Sequence, residues 1–513
     1  MPAITIDGFS LTKKSPGFFA EVVHGAGAIS LDSQPKYLVL VGGMSSSGTA
    51  TPDTDLVTLL SPEDADTYFG AGSELACMAY AAFKYPGINI KAIAVAEGSG
   101  PAGATCTITM GGTWTTAGSL TIILGGGAGD PAGGATVVVD ISASMVAADV
   151  GTAITAAVNA ALRTFCTAAN VAEVATLTTK TRSTTSNTWA VYIDKSKLPS
   201  GCTATLAGGT ALPGTSTLVG KRFASGAGTR SIANVLTVLE ALQLDTVVYA
   251  DVDATNAARA KAAVAAKAAL GVQLYEHYVL GFNAAYSAAN SVAQTTLNDV
   301  RATAAWCQET ESAAAVVGAS MAAAIQASDS LHPNRSFDGK VLRGVAPQRF
   351  ASSVPTAAEI ETALNGSVTP ITTSGTDAVC VMCICTRSLS GSTADYRTLD
   401  HGAAKVPDRI VQVLQLQWET EVKPQNTYVQ DNIADAEDTP PEGVLTPDSY
   451  AATVFATLMS LGPRGEQWLS EVESNPPSIQ YRASSKDLVG TIPIKPLPIN
   501  HRVGVSVRNV TAA

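Results

Sequence analysis

The sequence contains few groups of residues whose types and spacing resemble a catalytic or ligand-binding motif. Each of these motifs lacks a residue that its chemistry requires. Gly43 and Gly48 have the glycine spacing of a phosphate-binding loop, in which backbone amides and a lysine hold the phosphates. Thr49 and Ala50 stand where that motif requires Lys and then Ser or Thr. We therefore expect no nucleotide site there. The glycine-rich stretch 125–134 lies between strand candidates, and we interpret it as a flexible turn.

A nucleophilic serine is the next candidate. Ser320 lies in residues 318–322, which resemble the elbow that carries the serine of α/β hydrolases, but Ala322 replaces the closing glycine. The segment has the pattern of a helix start. We therefore interpret Ser320 as a helix-capping or packing residue.

The histidines show no paired spacing of the kind that metal or catalytic sites need. His401 follows Asp400 and could titrate, but a pair in a surface loop is the ordinary interpretation. The other four are His24, His277, His332 and His501.

Three of the eight cysteines form a cluster, Cys380, Cys383 and Cys385. They lie in an apolar run that predicts a buried strand, and residues three apart on a strand point to opposite faces. Cys380 and Cys383 are thus badly placed to share a metal, and we expect buried, reduced thiols. Together these motifs predict a protein that is not an enzyme and has no catalytic residue, cofactor or metal.

The composition argues against two further classes of protein, those that bind nucleic acid and those that insert into a membrane. The chain has 513 residues, of which 46 % are hydrophobic and 15 % charged, with a formal net charge of −11. An acidic chain without a basic stripe is not expected to contact nucleic acid directly. Residues 313–327 are too short an apolar stretch to span a bilayer, and no export signal opens the chain, so we expect a soluble protein without membrane insertion.

The alternation of strand and helix patterns predicts an α/β main domain. Its strands are expected at 37–41, 88–95, 246–250, 278–282 and 313–317, with helices between them. This order indicates a mixed, largely parallel sheet with helices on both faces. Between the second and third of these strands, a Thr- and Gly-rich stretch of short strands with one helix predicts an inserted β-rich α+β domain.

The predicted domain boundaries follow from these changes in composition and in the pattern of strands and helices. They are an N-terminal arm at 1–35, a main domain at 36–99 and 227–480, an inserted domain at 100–226, and a C-terminal arm with a terminal strand at 481–513. Within the main domain, helices are predicted near 408–422 and from a cap at Thr446 to Leu461.

Both chain ends carry strand patterns separated from the body. Because a lone strand needs a partner edge, these strands either fold back on their own sheet or complete a neighbour's sheet, and their organisation alone favours neither. A basic tail and an acidic loop slightly favour the second, since they could steer neighbouring copies into register; two solvated charge runs are the alternative interpretation. The predicted exchange residues are Phe18, Phe19, Val22, Val23, Val503, Val505 and Val507; the predicted charges between subunits are Arg482, Lys495, Arg502, Arg508, Asp435, Glu437 and Asp438.

In the order of its segments the chain resembles the tail sheath proteins of Mu-like contractile phages. The similar segments are residues 15–23, 37–42, 69–76, 93–98, 117–125, 150–162, 444–447 with the helix after them, and 503–507. The resemblance implies a structural subunit that polymerises helically around a tail tube, exchanges terminal strands with its neighbours, and contracts to drive the tube through the host envelope.

The same resemblance implies the partners and the place of assembly. The partners would be further copies of the chain, the tail tube protein, and the baseplate and tail terminator proteins, in a virion tail assembled in the host cytoplasm. A surface adhesin or decoration protein is the alternative function, with the Thr- and Gly-rich stretch as its binding module.

Overall fold

A computed structural model describes most of the chain, and the statements below concern the residues it describes. These are 36–269, 274–329, 332–333, 335–395, 399–425, 428–432, 443–463, 465–484 and 487–497.

The described strands are short, and most belong to three sheets. In chain order they are β1 (Tyr37–Gly42), β2 (Leu56–Leu59), β3 (Asn89–Ala94), β4 (Gly103–Gly112), β5 (Gly118–Leu124), β6 (Ala135–Ile141), β7 (Cys166–Val171), β8 (Val174–Arg182), β9 (Ala190–Asp194), β10 (Cys202–Ala207), β11 (Ala211–Leu212), β12 (Leu218–Arg222), β13 (Thr246–Tyr249), β14 (His277–Phe282), β15 (Ala302–Trp306), β16 (Lys340–Val341), β17 (Thr369–Ser374), β18 (Asp377–Cys380), β19 (Leu389–Ser390), β20 (Thr393–Ala394), β21 (Tyr428–Val429), β22 (Val444–Leu445), β23 (Ser478–Arg482) and β24 (Asp487–Thr491).

Several of the described α-helices alternate with the strands of the largest sheet, whereas α3 lies between strands of the smaller sheets and α9 to α11 follow the last strand of the largest one. They are α1 (Pro62–Phe69), α2 (Glu74–Ala82), α3 (Ala147–Ala160), α4 (Ala233–Leu239), α5 (Ala254–Lys267), α6 (Tyr286–Asn290), α7 (Ala314–Asp329), α8 (Ala357–Asn365), α9 (His401–Gln417), α10 (Lys423–Gln425) and α11 (Pro447–Ser460). Short 3-10 helices span Thr184–Thr188 and Ala351–Ser353, and π-helical turns span Ser291–Leu297 and Trp418–Val422.

The largest sheet has nine strands in the order β16-β18-β17-β15-β14-β13-β1-β3-β2. The neighbours from β17 through β15, β14, β13 and β1 to β3 are parallel, and the pairs at the two ends of the sheet are antiparallel. Leu38 and Leu40 pack in one buried cluster with α2 and α7, whereas Val39 and Val41 pack in another with α4 and α5. Because adjacent residues of a strand face opposite ways, helices cover both faces, and the predicted mixed α/β fold is confirmed.

Residues 103–222, the 103–222 segment below, form two antiparallel sheets and α3. The sheets have the orders β10-β4-β8-β7 and β11-β12-β9-β5-β6. Most of the hydrophobic side chains buried in this segment, such as Ile108 and Ile154, belong to the same hydrophobic cluster as Leu38 of the main sheet, whereas Ala190, Tyr192 and Leu212 form a small cluster of their own. A separate inserted domain with its own boundaries stays a prediction.

Two strand predictions were wrong. Residues 313–317 lie at the beginning of α7, which is buried almost all round, and β15, which precedes it, was missed. A short apolar run does not distinguish a buried strand from a buried helix by its pattern. The predicted strand through Cys385 also ends early, because β18 stops at Cys380 and only an isolated bridge at Ile384 follows.

The described residues group into two compact units, one within 36–410 with residues 496–497 and one within 411–495. The last residues of α9 belong to the second unit, and the π-helical turn at Trp418–Val422 follows them directly. This agrees with the helix predicted near 408–422. Thr446 caps α11 and Pro447 occupies its first position, as expected.

Candidate assembly interface

A two-stranded hairpin formed by β23 and β24, the C-terminal hairpin below, is the part of the second unit best suited to bind another chain. Its strands pair antiparallel over five positions, from Ser478 opposite Thr491 to Arg482 opposite Asp487. Sequence analysis missed it, although Ile479 and Tyr481 alternate with polar residues, because the pattern spans only five residues on the first strand.

One face of the C-terminal hairpin packs on α11, and the other faces solvent. Ile479 and Tyr481 are half-buried, while Ser478, Gln480 and Arg482 are exposed. The helix α11 contacts β23 and buries Val454 and Leu458. Among the described residues, the helix therefore supports the hairpin from one side.

Both outer edges of the C-terminal hairpin lack a strand partner within the described ranges, since the sheet contains only two strands there. A strand edge presents a row of N–H and C=O groups that can pair with another chain. A two-stranded hairpin is also marginally stable by itself. These two properties make the hairpin a candidate acceptor of further strands.

The chain after the hairpin is fixed to the loop after α11. Ser470 donates its backbone N–H to the Lys495 carbonyl at 2.8 Å, and the Lys495 ammonium pairs with Glu471 at 2.5 Å. Both side chains of this ion pair are more than half exposed, so it stabilises the fold by well under about 1 kcal/mol. Lys495, predicted to contact a neighbouring subunit, therefore already has a partner in its own chain, and Arg482 lies exposed at the turn end of β23.

The remaining residues predicted for assembly lie outside the described residues and stay predictions. They are Phe18, Phe19, Val22, Val23, Asp435, Glu437, Asp438, Arg502, Val503, Val505, Val507 and Arg508.

In the first unit, the carboxyl ends of β1 and β13 carry a buried ionic network. Open parallel sheets bind their ligands at this edge. Here the Arg230 guanidinium contacts Glu74 at 2.5 Å and Asp251 at 3.0 Å, and each of the three side chains is 2 % exposed or less. Burial alone would lower the pKa of Arg230, but the two carboxylates outweigh burial and raise it above its usual value.

This network also binds the 103–222 segment. Thr181 accepts the Glu74 backbone N–H at 2.8 Å, and the Thr185 hydroxyl donates to the Glu74 carboxylate at 2.5 Å. The Gly43 amide donates to the same carboxylate at 3.0 Å, and a Cβ on Gly43 would lie 1.6 Å from the Arg230 Nη1. Gly43, one of the two glycines with the spacing of a phosphate-binding loop, thus makes room for an internal ion pair.

A second buried network lies at the amino ends of β13 and β14. His401, Lys405 and Arg409 follow one another on one face of α9; Lys405 pairs with Asp329, and Arg409 pairs with Asp245. His401 lies 3.5 Å from Asp329 and is 1 % exposed, so its interpretation as a surface-loop residue was wrong. The four-residue spacing of these basic residues is typical of one helix face, but the predicted helix began too late to include His401 and Lys405.

His277 belongs to the same network. Its Nε2 lies 2.9 Å from the Thr303 hydroxyl, and its ring meets the His401 ring edge-on at 4.5 Å between centroids. Burial, then the nearby His401 and Lys405, holds the pKa of His277 well below its usual value. The network ties α9 to the sheet through groups that solvent does not reach.

The other chemical motifs occupy packing positions. Ser320 is buried inside α7, where its hydroxyl donates to the Arg343 carbonyl at 2.7 Å and lies 3.1 Å from the Tyr85 hydroxyl. Cys380, Cys383 and Cys385 are buried free thiols, and burial raises the pKa of each. Across the described residues, no three His, Cys, Asp or Glu side chains converge as a metal site requires, and no helix has both the length and the apolar character to cross a membrane.

Comparisons with known proteins reveal a likeness in structure and none in sequence. No protein-family model matches the sequence, and no curated protein matches it. A crystal structure of a sheath tail protein from Desulfitobacterium hafniense matches with a TM-score of 0.50 and 13 % identity, covering 94 % of this chain and 96 % of that one. A sheath tail protein from Listeria innocua matches with a TM-score of 0.45 and 9 % identity, covering 90 % and 92 %. The chain therefore shares its fold with the D. hafniense sheath tail protein over nearly its whole length.

Proposed function

We propose that this protein is the sheath subunit of a contractile phage tail of the Mu-like type, and that it is not an enzyme. The observation that carries the proposal is the fold shared with the D. hafniense sheath tail protein, which extends over 94 % of this chain. A likeness of that extent includes both compact units.

The C-terminal hairpin supports a mechanism of assembly by strand exchange. Each of its two open edges can accept one extended segment, and the chain has two candidate donors, at 18–23 and 503–507. Each backbone hydrogen bond that forms across such an edge stabilises the contact by about 0.5–1.5 kcal/mol. A strand of five residues thus contributes several kcal/mol without aromatic anchors, which this chain largely lacks.

The geometry of such an exchange produces a tube. A donor segment and an acceptor edge are different surfaces, so each copy binds the next head to tail, and a rotation that does not close yields a helical filament. The filament surrounds a tail tube protein and ends at baseplate and terminator proteins. Arms that keep their strand pairs while the bodies repack let the sheath shorten and drive the tube through the envelope.

A pair of triple variants tests the exchange. Replacement of Val503, Val505 and Val507 by proline removes three backbone N–H donors, whereas replacement by threonine keeps the donors and the strand preference. We expect the proline variant to fold with an unchanged circular dichroism spectrum and to stay monomeric by sedimentation. We expect the threonine variant to form tubes in negative-stain micrographs, as the unmodified chain does.

Normal tubes from the proline variant would contradict the exchange of this strand. A surface adhesin would stay a small oligomer at every concentration, so the same micrographs of the unmodified chain separate the two functions.

A further inference from the structure

A cavity of about 220 Å³ opens between α4, α5 and β13, on the side of the main sheet opposite to α2 and α7. The apolar part of its wall includes Leu236, Leu239, Ala263 and Ala266, and Thr237 and Glu240 also line it. An apolar cavity of about 150 Å³ holds a benzene molecule, so this one holds a substituted single ring.

One buried polar group in the cavity wall has no partner. Tyr249 lines the cavity and is 1 % exposed, and its hydroxyl makes no hydrogen bond to any described residue. A buried hydroxyl without a partner costs about 1–3 kcal/mol, so an occupant that pairs with it gains affinity. Neighbouring buried tyrosines of the sheet differ, since the Tyr278 hydroxyl donates to Asp299 at 3.0 Å.

Two of the three charged groups in the wall neutralise each other, and the third, Glu240, is exposed. The Lys267 ammonium donates to Glu276 at 2.5 Å and to the Leu239 carbonyl at 3.1 Å, and both charged side chains are less than 5 % exposed. An ionic ligand would bring an unpaired charge against these buried groups and the apolar wall, which is unfavourable. Water alone would satisfy Tyr249, but further waters would face the leucine and alanine walls with few partners.

We propose that this cavity is a binding site for a small, uncharged, single-ring molecule with one hydroxyl or carbonyl group, which pairs with the Tyr249 hydroxyl. The ring lies between Leu236, Leu239 and Ala266. The proposal does not depend on the sheath function, because the site is formed by residues of one chain.

Phenol and benzene are the probes, used with the full-length chain in ligand-observed NMR titrations. Phenol binds saturably and more tightly than benzene to the unmodified chain. Tyr249→Phe removes the hydroxyl without changing the ring. It therefore lowers the affinity for phenol by about fivefold, the equivalent of one neutral hydrogen bond, and leaves the affinity for benzene unchanged. Ala266→Leu fills the cavity and abolishes binding of both probes.

Circular dichroism verifies that both variants are folded. The proposal is overturned if phenol shows no saturable binding, if benzene binds as tightly as phenol, or if Tyr249→Phe leaves the phenol affinity unchanged. Binding of phenol that survives in a folded Ala266→Leu variant places the probe elsewhere and also overturns it.

Discussion

The 103–222 segment and the C-terminal hairpin are both β-rich and both lie outside the main sheet, yet they are held in opposite ways. The first shares a hydrophobic cluster with the main sheet and is fixed by buried hydrogen bonds to Glu74. The second has one half-buried face, one exposed ion pair nearby and, among the described residues, no third strand. The difference shows that strand content alone does not predict how firmly a β-rich region is held; the burial of its side chains and hydrogen bonds does.

Glycine makes the close contacts of the 103–222 segment possible at a second place. The loop between β5 and β6 places Asp130 against the Gly344 amide at 2.6 Å and against the Lys84 ammonium at 3.0 Å. A Cβ on Gly133 in this loop would lie 2.5 Å from the Cys77 sulfur, and its φ of 75° favours glycine. The stretch interpreted as a flexible turn is therefore a packed contact with α2.

Replacement of Arg230, the cation of the first buried network, should give the largest loss of stability. Arg230→Met leaves Glu74 and Asp251 buried without a counter-charge, so we expect the free energy of unfolding to fall by about 3–5 kcal/mol in urea titrations. Arg182→Met is the matched control, because Arg182 pairs with Glu97 at the surface and is expected to cost under about 1 kcal/mol. Equal losses in the two variants would mean that the buried network does not hold the 103–222 segment.

A pH titration should give an intermediate effect confined to the first unit. His277 has a lowered pKa in the folded chain, so the unfolded chain binds more protons as the pH falls below about 6.5. Stability is then fully present above that pH and is lost below it, by about 1.4 kcal/mol per pH unit for one histidine. The groups facing His277 are Thr303, His401, Lys405, Asp329 and Arg301.

His277→Gln should remove this component of the pH dependence. We expect the unfolding free energy of the unmodified chain to fall more steeply between pH 6 and pH 5 than that of the variant. Parallel slopes for the two proteins would show that His277 does not gain its proton on unfolding.

Substitution near the C-terminal hairpin should give the smallest effect on stability. Lys495→Met breaks the exposed pair with Glu471, and we expect a loss under about 1 kcal/mol. Lys423→Met, which breaks the similarly exposed pair with Glu419, is the control. A loss of unfolding free energy above about 2 kcal/mol for Lys495→Met alone would mean that this exposed pair stabilises the fold about as strongly as a buried pair does.

Much of the architecture could be predicted because its signals are local. Continuous apolar strands such as β1 and β13 and the capping residue Thr446 are each recognised from a few neighbouring residues. The strand patterns at the chain ends and the charges assigned to them are predictions of the same local kind, and most lie outside the described residues.

Local patterns in the sequence indicate the alternation of strands and helices and the mixed sheet, and no catalytic spacing is recognisable among them. Which polar residues meet depends on the tertiary fold, because Arg230 and Glu74 are 156 residues apart, and His401 and Asp329 are 72 apart. The tertiary fold also places residues 314–317 in a helix and leaves the C-terminal hairpin without a third strand among the described residues. The physical reason is that periodicity reports which face of an element is buried, whereas ion pairs and free edges depend on what packs against that face.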